Sequence, residues 1–191
     1  TAGLPPPGAR WELIAGDDFG DQERGVFAAR QAQQGTVMEG LTYSWGAEYL
    51  GGALLGRVDT ASPVRLRRLA IGGNALSRTR VEGSLAAEVT ATLLRSPGSH
   101  FEYGLLYQTD AGTMAFMVTP NDGEYRVNSP IDGDILAWRP SAAIKAGRQR
   151  NTLRLERVND VAAVYVNGRP VDRFELSGVP DRNGVIGLSW A

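Results

Sequence analysis

The stretch Val161-Ala162-Ala163-Val164-Tyr165-Val166-Asn167-Gly168 decides the fold class. Six apolar or aromatic residues run without a charge and stop on Asn-Gly. A run this short, rich in β-branched residues, reads as a strand apolar on both faces, hence a central one. Asn and Gly both tolerate positive φ, the requirement of the two-residue turn that joins antiparallel strands. The chain must therefore fold back over Arg169–Leu176, and a sheet is under way.

The same grammar extends outward from this hairpin. In Leu85-Ala86-Ala87-Glu88-Val89-Thr90-Ala91-Thr92-Leu93 the odd positions are apolar and the even ones mostly polar, the pattern of a strand with one buried face. Leu153-Arg154-Leu155-Glu156 repeats it, and Met114, Phe116 and Val118 share a face of a further strand. Turn signals separate these runs: Asn121-Asp122-Gly123, Asp132-Gly133 and Asn183-Gly184. Short strands between regularly spaced turns indicate a sandwich or barrel. Helical signal is confined to one turn at Ser141–Lys145 and a helix-tolerant composition over Arg24–Gln34. The region Gly46–Gly73 is hardest to read, and only Val64-Arg65-Leu66-Arg67-Arg68-Leu69-Ala70-Ile71 is assigned there, as a strand. The expectation is an all-β, two-sheet antiparallel jelly-roll sandwich with at most one or two short helical turns. It comprises a flexible Pro/Gly-rich segment over 1–10 and one domain over 11–191.

Composition agrees and narrows the function classes. A chain of 191 residues, 42% hydrophobic and 21% charged, can bury a core without metals or disulfides. The formal net charge of −1 gives no global field for nucleic acid or an anionic membrane. The absence of cysteine excludes a disulfide framework, a thiolate nucleophile and a thiolate zinc site. No run approaches the roughly 20 apolar residues of a membrane span. The opening Thr1-Ala2-Gly3-Leu4-Pro5-Pro6-Pro7-Gly8 reads as a processed end followed by a stiff tether, which suits an exported or surface-attached protein. Arginine outnumbers the single Lys145, as a GC-rich genome would dictate.

Four stretches of the second half resemble the concanavalin A-like lectin/glucanase superfamily, whose relatives include laminin-G-like and 3-keto-disaccharide hydrolase-like domains. They are Phe101-Glu102-Tyr103-Gly104-Leu105-Leu106-Tyr107; the hairpin Ala115–Arg126 with Val127; Trp138-Arg139-Pro140-Ser141-Ala142-Ala143-Ile144-Lys145; and Asn151–Leu155 through Tyr165–Gly168 to Gly184–Leu188. Asp17-Asp18-Phe19 and Glu39-Gly40-Leu41-Thr42-Tyr43 resemble its opening strands. The likeness runs over about 100–191, is patchy over 17–45 and is absent over 46–80. It implies two antiparallel sheets, one concave, with carbohydrate on the concave face or its rim. Many relatives bind calcium through oxygen ligands. Calcium is thus the one cofactor the resemblance allows, with Asp17 and Asp18 as its holders; otherwise none is expected.

The residues themselves favour binding over catalysis. Glycosidases need two carboxylates flanking the scissile bond. The superfamily's alternating Glu-x-Asp-x-Glu strand is missing, and Asp132-Gly133-Asp134 reads as turn chemistry. Glu39, Glu88, Glu102 and Glu124 are each isolated, so a pair would have to assemble across strands. His100 is the only histidine, set in a loop, and no Gly-x-Ser-x-Gly elbow accompanies it. Arg65, Arg67, Arg68, Arg78 and Arg80 are the densest basic stretch, but strand alternation splits them between faces. Flat aromatic rings are the better clue: Tyr43, Trp45, Tyr107, Tyr125 and Trp138, with Arg126 beside them, form the candidate ligand platform. The first reading is a non-catalytic, extracytoplasmic binding or accessory module with carbohydrate as its ligand. One alternative is a glycoside-acting hydrolase or lyase using a cross-strand carboxylate pair. Another is a structural domain docking a protein partner in an envelope assembly.

Overall fold

A computed structural model describes residues 30–38, 41–49, 54–60, 73–94, 101–110, 112–129, 133–176 and 183–190. Among these residues the chain forms thirteen strands and no helix. They are β1 (Arg30–Met38), β2 (Leu41–Tyr49), β3 (Leu54–Thr60), β4 (Gly73–Glu82), β5 (Leu85–Ala91), β6 (Tyr103–Thr109) and β7 (Thr113–Thr119). There follow β8 (Glu124–Ser129), β9 (Gly133–Pro140), β10 (Asn151–Val158), β11 (Val161–Val166), β12 (Arg169–Glu175) and β13 (Asn183–Trp190).

Two antiparallel sheets make the sandwich. One has six strands in the order β4-β13-β6-β7-β8-β9, the other four in the order β12-β11-β10-β5. A third sheet, β1-β2-β3, lies alongside β4. Arg24–Gln34, helix-tolerant in composition, enters strand β1 at Arg30. The turn expected at Ser141–Lys145 is a single i→i+3 turn, Ile144 N–H to Ser141 C=O at 3.2 Å, and goes no further. Segment 1–10, Trp11, Asp17, Asp18, Asp21, His100, Asp132 and the strand expected over Val64–Ile71 lie outside the described residues.

Alternation in the sequence becomes two faces in space. Leu188, Leu105, Phe116, Val127 and Leu136 stand opposite one another along one row of the six-stranded sheet. They meet Leu85, Leu153, Leu155, Val164 and Val166 of the other sheet in one core. Strand β11 is interior to its sheet and buried on both faces, Ala163 included. The hairpin after it has Asn167 at φ 51° and Gly168 at φ 76°, the two positive values that its turn demands.

The core also carries polar pins. Asn151 is fully buried: its Oδ1 accepts from Lys145 N–H (2.8 Å) and Asn167 Nδ2 (2.8 Å), while its Nδ2 donates to Lys145 C=O (2.9 Å). It thereby ties the β9–β10 connection to the β11–β12 turn. Arg157, 1% exposed, reaches from β10 across the sandwich and lays its guanidinium 5.5 Å from the Tyr107 ring centroid.

Candidate functional site

The six-stranded sheet has a second face, turned away from the core, and its composition differs from that of the first. Register fixes two adjacent rows on it. One runs Asn74, Ser189, Gly104, Met117, Arg126. The next runs Leu76, Gly187, Leu106, Ala115, Asn128, Asp134. The middle strands therefore carry small residues (Ser189, Gly187, Gly104, Ala115) with Leu106 and Met117 among them, and the polar side chains stand on the β8–β9 side. Gly104 is obligatory, because a Cβ there would stand 1.8 Å from the Phe116 carbonyl oxygen.

Trp138 reaches this face through irregularity. On an even strand it would share the side of Leu136, which is in the core. The β8–β9 register slips between Tyr125 and Val127, where β9 holds an extra residue, and slips again between Val127 and Asn128. Bulges of this kind re-aim side chains. Trp138 consequently packs, partly buried, with Leu76 against a second apolar cluster on this face, in which Leu106 and Ala115 are 6% exposed and Met117 3%.

Arg126 is the hub. Its Nη2 donates to Glu102 Oε1 at 2.6 Å and its Nε to Glu102 Oε2 at 3.1 Å, a bidentate fork. Its guanidinium carbon lies 4.8 Å from the Trp138 ring centroid, a cation–π arrangement. The pair is mostly shielded, with side-chain exposures of 21% for Arg126 and 11% for Glu102. Burial pushes the Glu102 carboxyl above its usual range; Arg126 opposes that rise, and the Asp134 charge adds to it. Asn128 completes the group, its Oδ1 shut off from solvent and accepting no hydrogen bond among the described residues.

The structure divides the aromatic set expected from the sequence. Trp138 and Arg126 come together on the outer face. Tyr107 (1% exposed) and Tyr125 (4%) point the other way, into the core, which removes them from any stacking platform. The physical reason is parity: Tyr107 alternates with Leu106, and Tyr125 with Arg126. Tyr125 instead packs edge-on against Phe116, and its hydroxyl donates to Val171 C=O at 3.1 Å, linking the two sheets. Tyr43 and Trp45 occupy strand β2, opposite Gly35 and Thr60 and opposite Gln33 and Val58 respectively. Asp134, expected in a turn, is on β9 opposite Asn128. Glu102 and Asn128 join the group without belonging to the aromatic set: Asn128 shares the parity of Arg126 on β8, whereas Glu102 is brought there by the pairing of β6, β7 and β8. Among the described residues no group of three His, Asp or Glu side chains could hold a metal ion.

The outer face of the four-stranded sheet is a closed ion-pair ladder. Arg154 donates to Glu156 (2.7 and 2.8 Å) and faces Glu88 at 3.6 Å, and the Tyr165 hydroxyl donates to Glu156 Oε2 at 3.1 Å. Its described groups pair with one another, and the β6–β9 face, which adds a half-buried indole to its polar groups, is the better candidate.

No protein-family model matches the sequence, and a search of curated proteins found no match. Solved structures do match in fold. A beta-glucanase of Bacillus licheniformis aligns at 10% identity with a TM-score of 0.57, covering 91% of this chain and 82% of that one. The carbohydrate-binding module CBM66 from Bacillus subtilis aligns at 11% identity and 0.52, covering 86% of each chain. The kappa-carrageenase from Pseudoalteromonas carrageenovora, in complex with an oligotetrasaccharide of kappa-carrageenan, aligns at 13% and 0.52, covering 92% and 78%.

Proposed function

We propose that this concanavalin A-like jelly-roll sandwich is a carbohydrate-binding module of an exported or surface-attached protein, with its ligand on the β6–β9 outer face. The observation that carries the reading is the cluster of Trp138, Arg126, Glu102 and Asn128, assembled by two bulges on a face away from the core. A sugar offers apolar C–H faces and a ring of hydroxyls. Trp138 supplies an indole for the first, while the exposed carboxylate of Asp134 supplies acceptors for the second. The proteins of like fold named above include a carbohydrate-binding module and sugar-polymer enzymes, which makes sugar the favoured ligand class.

Binding without chemistry is favoured by the state of Glu102. Both of its oxygens are held by Arg126, whereas a general acid must present a proton to the glycosidic oxygen. A catalytic reading has one observation on its side: burial raises the Glu102 carboxyl, with Asp134 near enough to add to the rise.

The test is a glycan array followed by titration calorimetry on any hit. Trp138→Ala is expected to weaken binding about ten-fold, within the range for losing a stacked ring. Tyr165→Phe, on the opposite sheet, is expected to bind as the parent does. No hit on the array, or equal affinity for Trp138→Ala, overturns the site. Release of reducing ends from a bound oligosaccharide, abolished in Glu102→Gln, establishes the catalytic reading instead.

A further inference from the structure

Resting on that reading, we infer that the face selects uncharged, hydroxyl-bearing sugars and rejects uronate- and sulfate-bearing ones, with Glu102 as the residue that sets the selectivity. Recognition of an anionic sugar needs a cation with free donors. Arg126 is the only cation at outer-face positions of β6–β9 among the described residues, and its fork is closed on Glu102 through Nε and Nη2. Its charge is therefore cancelled where a ligand would meet it, and one of its faces lies against Trp138.

The remaining charges on that part of the sheet are negative. Glu124, two residues before Arg126 on β8, shares its parity; Asp134 stands opposite Asn128 and is exposed. With Glu102 immediately before β6 and paired to Arg126, three carboxylates share this part of the sheet with one guanidinium. Such a surface repels carboxylates and sulfates, while its oxygens accept from neutral hydroxyls. The other basic group described on this face, Arg80 of β4, is already paired with Asp110 at 3.0 Å.

The experiment prints neutral oligosaccharides beside oligouronates and sulfated galactans, and probes them at low salt with the parent, Glu102→Gln and Asp134→Asn. The parent is expected on neutral spots only. Glu102→Gln opens the fork and is expected to gain roughly ten-fold on anionic spots, the factor that one charge-assisted hydrogen bond supplies. Asp134→Asn removes an exposed charge without touching the fork, so it stays informative even where Glu102→Gln folds poorly. Its expected gain is about two- to five-fold, suppressed by salt. Parent binding to anionic spots as strong as to neutral ones overturns the selectivity and leaves sugar binding standing. Binding to no spot at all overturns both. Anionic binding unchanged in both variants removes Glu102 from the role.

Discussion

Removing the Arg126 guanidinium is the most demanding test of the site's electrostatics. In Arg126→Ala the Glu102 carboxylate keeps its burial and the influence of Asp134, and loses the one group that opposed them. Breaking a buried ion pair by deleting one partner costs about 3–5 kcal/mol, because the other charge is stranded. The side-chain exposures of 21% and 11% admit some water, which lowers the expectation to about 2–3 kcal/mol at neutral pH. At this chain length that corresponds to a fall in Tm of roughly 4–10 °C.

The pH dependence carries the sign. A carboxyl whose folded-state pKa lies above its unfolded value favours the folded state when protonated. That contribution is complete below the unfolded value and disappears as pH rises through the folded one. Glu102 is raised already and rises further without Arg126, so the variant's deficit is largest at neutral pH and shrinks as the solution is acidified through the carboxylate range. Thermal unfolding followed by circular dichroism at several pH values reads this directly. The double variant Arg126→Ala with Glu102→Gln, which has no charge to strand, should recover most of the loss at neutral pH. A deficit independent of pH, or no recovery in the double variant, refutes the stranded-charge account.

Further expectations concern the scaffold that holds the site. Gly104→Ala places a Cβ 1.8 Å from the Phe116 oxygen, so β6 and β7 must separate; a loss of more than about 3 kcal/mol in urea unfolding is expected, and a mild effect would contradict the register. Asn151→Ala removes a fully buried side chain that accepts from the Lys145 amide and from Asn167 Nδ2 and donates to the Lys145 carbonyl, while Asn167 Nδ2 keeps its bond to the Ala143 carbonyl; the expected cost is about 3 kcal/mol by the same measurement. Gly168→Ala, at φ 76° with no neighbouring atom within 4 Å, should cost about 1 kcal/mol through backbone strain alone, leaving sugar binding untouched.

Much of the molecule is legible in the sequence. Two-residue alternation in Leu85–Leu93 and Leu153–Glu156, the doubly apolar Val161–Val166 run and the Asn167-Gly168 turn are local properties, since a strand's faces follow from residue parity and its hairpin from backbone φ. Parity also fixes the core side of β8, where Tyr125 alternates with Arg126 and Val127 with Asn128. What only the tertiary structure decided is where parity breaks and which strands become neighbours. The β9 bulges turn Trp138 away from the side of Leu136, and the β6-β7-β8 order brings Glu102 to an arginine 24 residues later. Neither has a signature within a single strand: the slip is settled by hydrogen bonding and packing between β8 and β9, and the pairing by the registers of two successive hairpins, β6-β7 and β7-β8.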